Sequence, residues 1–178
     1  MEKMFTGYHG TVGDNIEEIL ESILNIGFNI SNREDQWLGK GIYFFDNDSQ
    51  AKWWCRNQQM KSLKYGIIEV LFSCDSSKIL DLDNQEGRDK YVEATKKYIK
   101  VIEEKKLKFH SEEEAFLKTQ CLILSMYKRD NNIDMIKKTF YLEKKLKLRF
   151  DVSSKTHTQY CLTCEDNIKN KKIFLMRG

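Results

Sequence analysis

An α+β fold is what this chain of 178 residues predicts, and three observations carry that reading. Strand-like segments stand at both ends, helical spacing dominates the middle third, and no repeat or linker separates them. Strands drawn from distant segments, with helices between, build an α+β domain rather than an alternating α/β one. The expectation is a single domain over residues 1–178 with a helical insertion at about 86–140.

The elements follow in order. Residues 4–8 form a short candidate strand. Asp14 and Glu17 have capping-box spacing, and Ile16, Ile19, Leu20, Ile23 and Leu24 then share one face of a helix. Gly27 is placed to end it. Residues 41–45 read as a strand, and Ser49 as the cap of a helix carrying Trp53 and Trp54. Residues 65–72 are a nearly continuous apolar run, the pattern of a strand covered on both faces, with a continuation at 78–82. Tyr91, Ala94, Tyr98, Val101 and Ile102 fall at helical spacing within 86–109. Ser111 with Glu114 opens a second helix reaching about Lys128, and 132–140 predicts a shorter third. Leu146, Leu148 and Phe150 then alternate with Lys145, Lys147 and Arg149, which is period two. Residues 158–163 and 173–176 are the last candidate strands.

Composition narrows the function classes. The chain is 40% hydrophobic with a mean hydropathy of −0.61, enough for a core. No stretch approaches the roughly 18–20 apolar residues of a membrane helix, and MEKMFTGYHG lacks the apolar run of a secretory signal. Cys161 and Cys164 form a lone CxxC among five irregularly spaced cysteines, which argues against a zinc site and for reduced thiols. The expectation is a cytoplasmic protein with no metal and no membrane partner. Net charge is only +3, from 30 basic against 27 acidic residues, so charge alone does not announce a nucleic-acid binder. Lysines do cluster at 96–97, 105–108, 137–138 and 144–149, interspersed with Glu103, Glu104 and Glu143. Such runs usually form solvated faces.

Three pieces carry chemistry. At 8–11 the sequence reads YHGT: His9 offers an imidazole, and Gly10 a bare backbone N–H and C=O, to one ligand. At 37–45 it reads WLGKGIYFF, where Gly39-Lys40-Gly41 suggests a flexible hinge before a strand with Tyr43 in its middle. At 158–162 TQYCL places Gln159 at the start of an otherwise apolar strand. Each piece alone is a weak signal, since such glycines commonly mark turns or bends. Their type, order and spacing together are specific.

These pieces resemble the diphtheria-toxin-like branch of the ADP-ribosyltransferase superfamily, which includes the poly(ADP-ribose) polymerases and carries a His-Tyr-Glu triad. The resemblance covers the first ~55 residues well and the last ~25 moderately. It implies a split β-sheet core that binds NAD as co-substrate, without a metal. His9, Tyr43 and Gln159 would be the catalytic set, with Gln159 where glutamate usually stands. Gly10, Thr11, Ser31 and Gly41 would join His9 and Tyr43 around the cofactor, Ser31 from a loop after the first helix. His157 falls where related enzymes contact substrate, and equally reads as an exposed loop histidine. Apart from the resemblance, Lys145, Lys147 and Arg149 would share the outward face of the alternating strand and contact a nucleic-acid backbone. Glu165 and Asp166 follow the strand as alternative carboxylates and read as loop residues.

The missing carboxylate bears on mechanism. Glutamine accepts a hydrogen bond from a ribose hydroxyl, yet it offers no charge to an oxocarbenium-like centre and is no useful base. The resemblance therefore implies mono-ADP-ribosyl transfer rather than chain building, by a small toxin-like or anti-phage effector acting on an intracellular macromolecule, and the lysine clusters favour nucleic acid over protein as the acceptor. An antitoxin protein is a possible partner. The alternatives are an inactive NAD or ADP-ribose binding module and an NAD glycohydrolase.

Overall fold

The computed structural model describes residues 1–58, 64–104, 110–142 and 155–177. Along the chain run β1 (Glu2–Gly13), α1 (Ile16–Asn25), β2 (Ile42–Phe45), α2 (Asp48–Gln58), β3 (Lys64–Asp75) and β4 (Ile79–Asp81). Then come α3 (Gln85–Glu104), α4 (Glu112–Asp130), β5 (Met135–Leu142), β6 (Lys155–Leu162) and β7 (Ile168–Arg177). The α+β class stands. The strands form one hydrogen-bonded sheet in the order β4-β5-β6-β2-β1-β3-β7, and only β4 and β5 pair in parallel.

The join at the middle of the sheet is thin. β1 pairs with β3 from Glu2 to Gly13, whereas its register with β2 is the single pair Tyr8 and Phe45. The sheet is thus two ladders, β4-β5-β6-β2 and β1-β3-β7, that meet at this seam.

Local chemistry explains most boundaries. Ile16, Leu20 and Ile23 of α1 bury against Ile68, Val70 and Phe72 of β3, the period-3.6 face the sequence showed. Gly27 ends the helix with φ +124°, a backbone state that costs glycine little. The expected Asp14 cap is not used: α1 starts one residue later, and Asn15, its N-cap, makes no side-chain capping bond. Nor does Ser49 cap α2; the Asn47 side-chain oxygen accepts from the Gln50 N–H at 3.1 Å instead. Ser111 does cap α4, its Oγ accepting from the Glu114 N–H at 3.1 Å.

One segment differs in kind. Residues 132–140 read as a helix but enter β5, which pairs with β4 on one side and β6 on the other. Met135 and Ile136 are both fully buried, on opposite faces of the strand. Neighbours buried on both faces look helical when only apolar spacing is counted, and ladder pairing decides against that.

α3 and α4 pack together through Ala94, Tyr98, Ile102 and Ile123. Leu124 of α4 also joins Leu38, Leu80, Ile136 and Cys161 beneath the β2 side of the sheet. The five cysteines are free, four of them buried. No helix among the described residues is long and apolar enough to cross a membrane. The predicted strand at 144–150, with Lys145, Lys147 and Arg149, lies outside the described residues, as do Lys105, Lys106 and Lys108.

Candidate functional site

Where the ladder between β1 and β2 stops, a cleft of about 540 Å³ opens. β1 contributes His9 and Gly10, β2 contributes Tyr43, and β6 contributes His157 and Gln159. Ser31 and Gly41 also line it, tied to each other by a bond from the Ser31 N–H to the Gly41 carbonyl at 3.0 Å. Residues separated by up to 150 positions are thereby brought together. Thr11 is the exception. It does not line the cleft; its carbonyl accepts from the Cys55 thiol at 3.9 Å.

His9 bridges the seam. Its Nδ1 lies 2.9 Å from the Tyr43 carbonyl oxygen. A carbonyl only accepts, so Nδ1 carries the proton. Burial holds the imidazole below its ordinary pKa, with the Tyr43 carbonyl opposing the shift. In the neutral ring, Nε2 is therefore a bare acceptor. Phe28 and Phe44 meet this ring edge-on at 5.0 and 5.9 Å and fix its plane.

The glycine-rich turn before Tyr43 is braced, contrary to the expected flexible hinge. The Tyr43 hydroxyl donates to the Gly39 carbonyl at 2.6 Å and accepts from the Leu38 N–H at 2.9 Å. Burial raises this phenol well above its ordinary pKa, so it remains a donor. From α4, Ser125 Oγ accepts from the Lys40 N–H at 3.0 Å. Lys128, only 4% exposed, donates to the Lys40 carbonyl and to Cys161 Sγ at 3.4 Å. Gly39 sits at φ +79°, and a side chain there would press on Ser125 at 3.0 Å. The helical insertion thus holds the turn that aims Tyr43.

Gly10 also has a packing reason beyond a bare backbone. A Cβ at that position would come within 2.7 Å of Cys55 Sγ and 3.3 Å of the Trp54 ring, so its absence lets α2 sit against β1. Gly41 is confined likewise, 2.4 Å from the Leu162 carbonyl.

Gln159 places its Nε2 3.1 Å from His157 Nε2. Neither alternative carboxylate reaches the cleft. Glu165 accepts from the Phe28 N–H at 2.7 Å and pairs with Lys171 at 3.7 Å. Asp166 accepts from the Cys164 thiol at 3.4 Å. Among the described residues the one carboxylate lining the cleft is Asp35, and Arg33 holds it at 2.6 Å.

His157 is not an exposed loop residue. It lies in β6 and is 2% exposed. Four aromatic rings surround it: Trp37 stacked at 5.9 Å, Phe45 edge-on at 5.7 Å, Phe140 at 5.4 Å and Trp53 at 6.2 Å. Burial lowers its pKa, opposed by the charge of Asp46, so the ring is neutral at pH 7. All three tryptophans of the chain, Trp37, Trp53 and Trp54, line this one cleft. The sequence reading gave them no role. Their presence in the polar stretches 33–37 and 46–58 was the available signal.

No group of three or more His, Cys, Asp or Glu that could hold a metal is found among the described residues.

The cleft lies at the seam of the sheet, with His9, Tyr43 and Gln159 of three strands in its lining. The chain belongs to the poly(ADP-ribose) polymerase catalytic domain family, whose model matches residues 2–149. Domains of this family are ADP-ribosyltransferases that use NAD as co-substrate. The match ends before β6, so His157 and Gln159 lie outside it. An uncharacterized protein of Methanocaldococcus jannaschii is 35% identical over 87 residues, covering 47% of this chain and 39% of that relative. The match therefore spans well under half of that protein's length. No solved structure matches.

Proposed function

We propose that the protein transfers a single ADP-ribosyl group from NAD to a macromolecular acceptor and releases nicotinamide. The observation that carries this reading is the convergence of His9, Tyr43 and Gln159, from three strands, on one cleft. NAD supplies the ribose–nicotinamide bond that is broken. On this reading His9 Nε2 accepts from a hydroxyl of the nicotinamide-side ribose, and the Gly10 backbone holds the carboxamide. The Tyr43 ring stacks on the nicotinamide. Ser31 and Gly41, fastened to each other, border the same volume.

Gln159 sets the limit on chemistry. Its amide accepts from the ribose 2′-hydroxyl and is neutral, so the developing cation loses a stabilisation of about 3 kcal/mol or more. An acceptor hydroxyl also loses a base. Both effects favour one transfer to a ready nucleophile over chain growth. The absence of an unpaired carboxylate in the described lining favours a second reading, a module that holds NAD without turning it over.

NAD carrying separate labels in nicotinamide and adenylate separates the readings. A transferase releases nicotinamide and leaves adenylate label on RNA, DNA or protein of a cell extract. Release without retention makes the protein a glycohydrolase. Saturable binding with no release makes it a binding module.

A further inference from the structure

We infer that the aromatic end of the cleft is an acceptor subsite, and that it takes a nucleobase of a single-stranded nucleic acid. The inference rests on the transferase reading and adds the acceptor class to it. Trp37 and Trp53 are each 39% exposed, unlike the buried core aromatics, and both lie against His157 at the cleft. Exposed indole faces stack any base, and an unpaired strand can splay its bases into such a site.

The second observation is His157 itself. The Gln159 amide nitrogen, which only donates, faces Nε2 at 3.1 Å. The proton of the neutral ring is therefore on Nδ1, and Nδ1 is buried with no hydrogen-bond partner among the described residues. A buried N–H without an acceptor is costly, and a ligand that parts the rings around His157 and supplies one relieves it. This requirement discriminates among planar acceptors. An arginine guanidinium also stacks on tryptophan but carries only donors. A nucleobase offers both a ring face and acceptor nitrogens or carbonyls on its edge.

The chemistry agrees with the neutral site. A base nitrogen attacks with its own lone pair and needs no carboxylate to activate it. The bond from ribose C1′ to the nicotinamide nitrogen breaks, and its electron pair leaves with nicotinamide. The lone pair of the base nitrogen forms the new bond to C1′. Where that nitrogen carries a hydrogen, the proton passes to water.

The test begins without turnover. Short single-stranded RNA and DNA homopolymers are titrated against intrinsic tryptophan fluorescence, with NAD affinity measured in parallel. Wild type should show saturable quenching by at least one homopolymer. Trp37→Ala and Trp53→Ala should each weaken oligonucleotide binding about tenfold while NAD still binds, and Trp37→Phe should recover most of the loss. Adenylate-labelled NAD then shows which strand retains label, and label in RNA or in DNA identifies the source of the base. Oligonucleotide binding with no label on any acceptor keeps the subsite and counts against the transferase reading. No oligonucleotide binding, unchanged affinity in both tryptophan-to-alanine variants, or label confined to protein overturns the inference.

Discussion

Tyr43→Ala is expected to abolish measurable NAD binding and to lower stability, by less than the roughly 3–5 kcal/mol of a fully buried aromatic because the ring is only partly buried. Two losses combine. The ring that borders the cleft disappears, and the Leu38 N–H and Gly39 carbonyl lose the hydroxyl that joins them. The turn keeps its bonds to Ser125 and Lys128 of α4, so it loosens at the Tyr43 end rather than coming apart. Tyr43→Phe separates the two. It keeps the ring but leaves the turn unclamped, at a cost of about 1–3 kcal/mol, and NAD binding should survive. Chemical denaturation and an NAD titration of both variants check this. A Tyr43→Ala protein as stable as wild type contradicts the clamp.

Gln159→Glu should move activity the other way. A carboxylate beside the nicotinamide-side ribose stabilises the developing cation. Single electrostatic contacts of this kind are worth about 10²–10³ in turnover, so nicotinamide release should rise by that order with NAD affinity little changed. The same substitution alters His157, because a negative charge next to Nε2 favours the imidazolium and raises its pKa. Acceptor transfer can then fall even as NAD cleavage rises. Release kinetics in buffer, and label transfer to acceptor, read the two effects separately. Unchanged release together with unchanged NAD affinity means that residue 159 does not face the ribose.

The fold class was legible because its signals were local. The amphipathic face of α1, the Ser111 cap and the apolar run that became β3 each sit within a few residues of one another. The 132–140 segment was misread because Met135 and Ile136 are buried on opposite faces of a strand, and only the pairing with β4 and β6 distinguishes that from a helix. At the site, His9, Tyr43 and Gln159 could be nominated from the motifs around them. The bracing of Tyr43 could not, because Ser125 and Lys128 lie more than 80 residues from the turn they hold. His157 is the sharpest case. Two residues from Gln159 in a polar stretch, it gave no sign that Trp37, Phe45, Trp53 and Phe140 would close around it.

The central claim is that the seam between β1 and β2 is an NAD site organised by His9. Calorimetric titration of NAD into wild type and His9→Ala tests it most directly. On that claim the imidazole presents its bare Nε2 to the ligand, while Nδ1 ties β1 to the Tyr43 carbonyl. Wild type should therefore bind NAD saturably at one site, and His9→Ala should bind more weakly by up to about tenfold, the worth of one good hydrogen bond. No saturable heat with wild type, or equal affinity in the two proteins, contradicts the account.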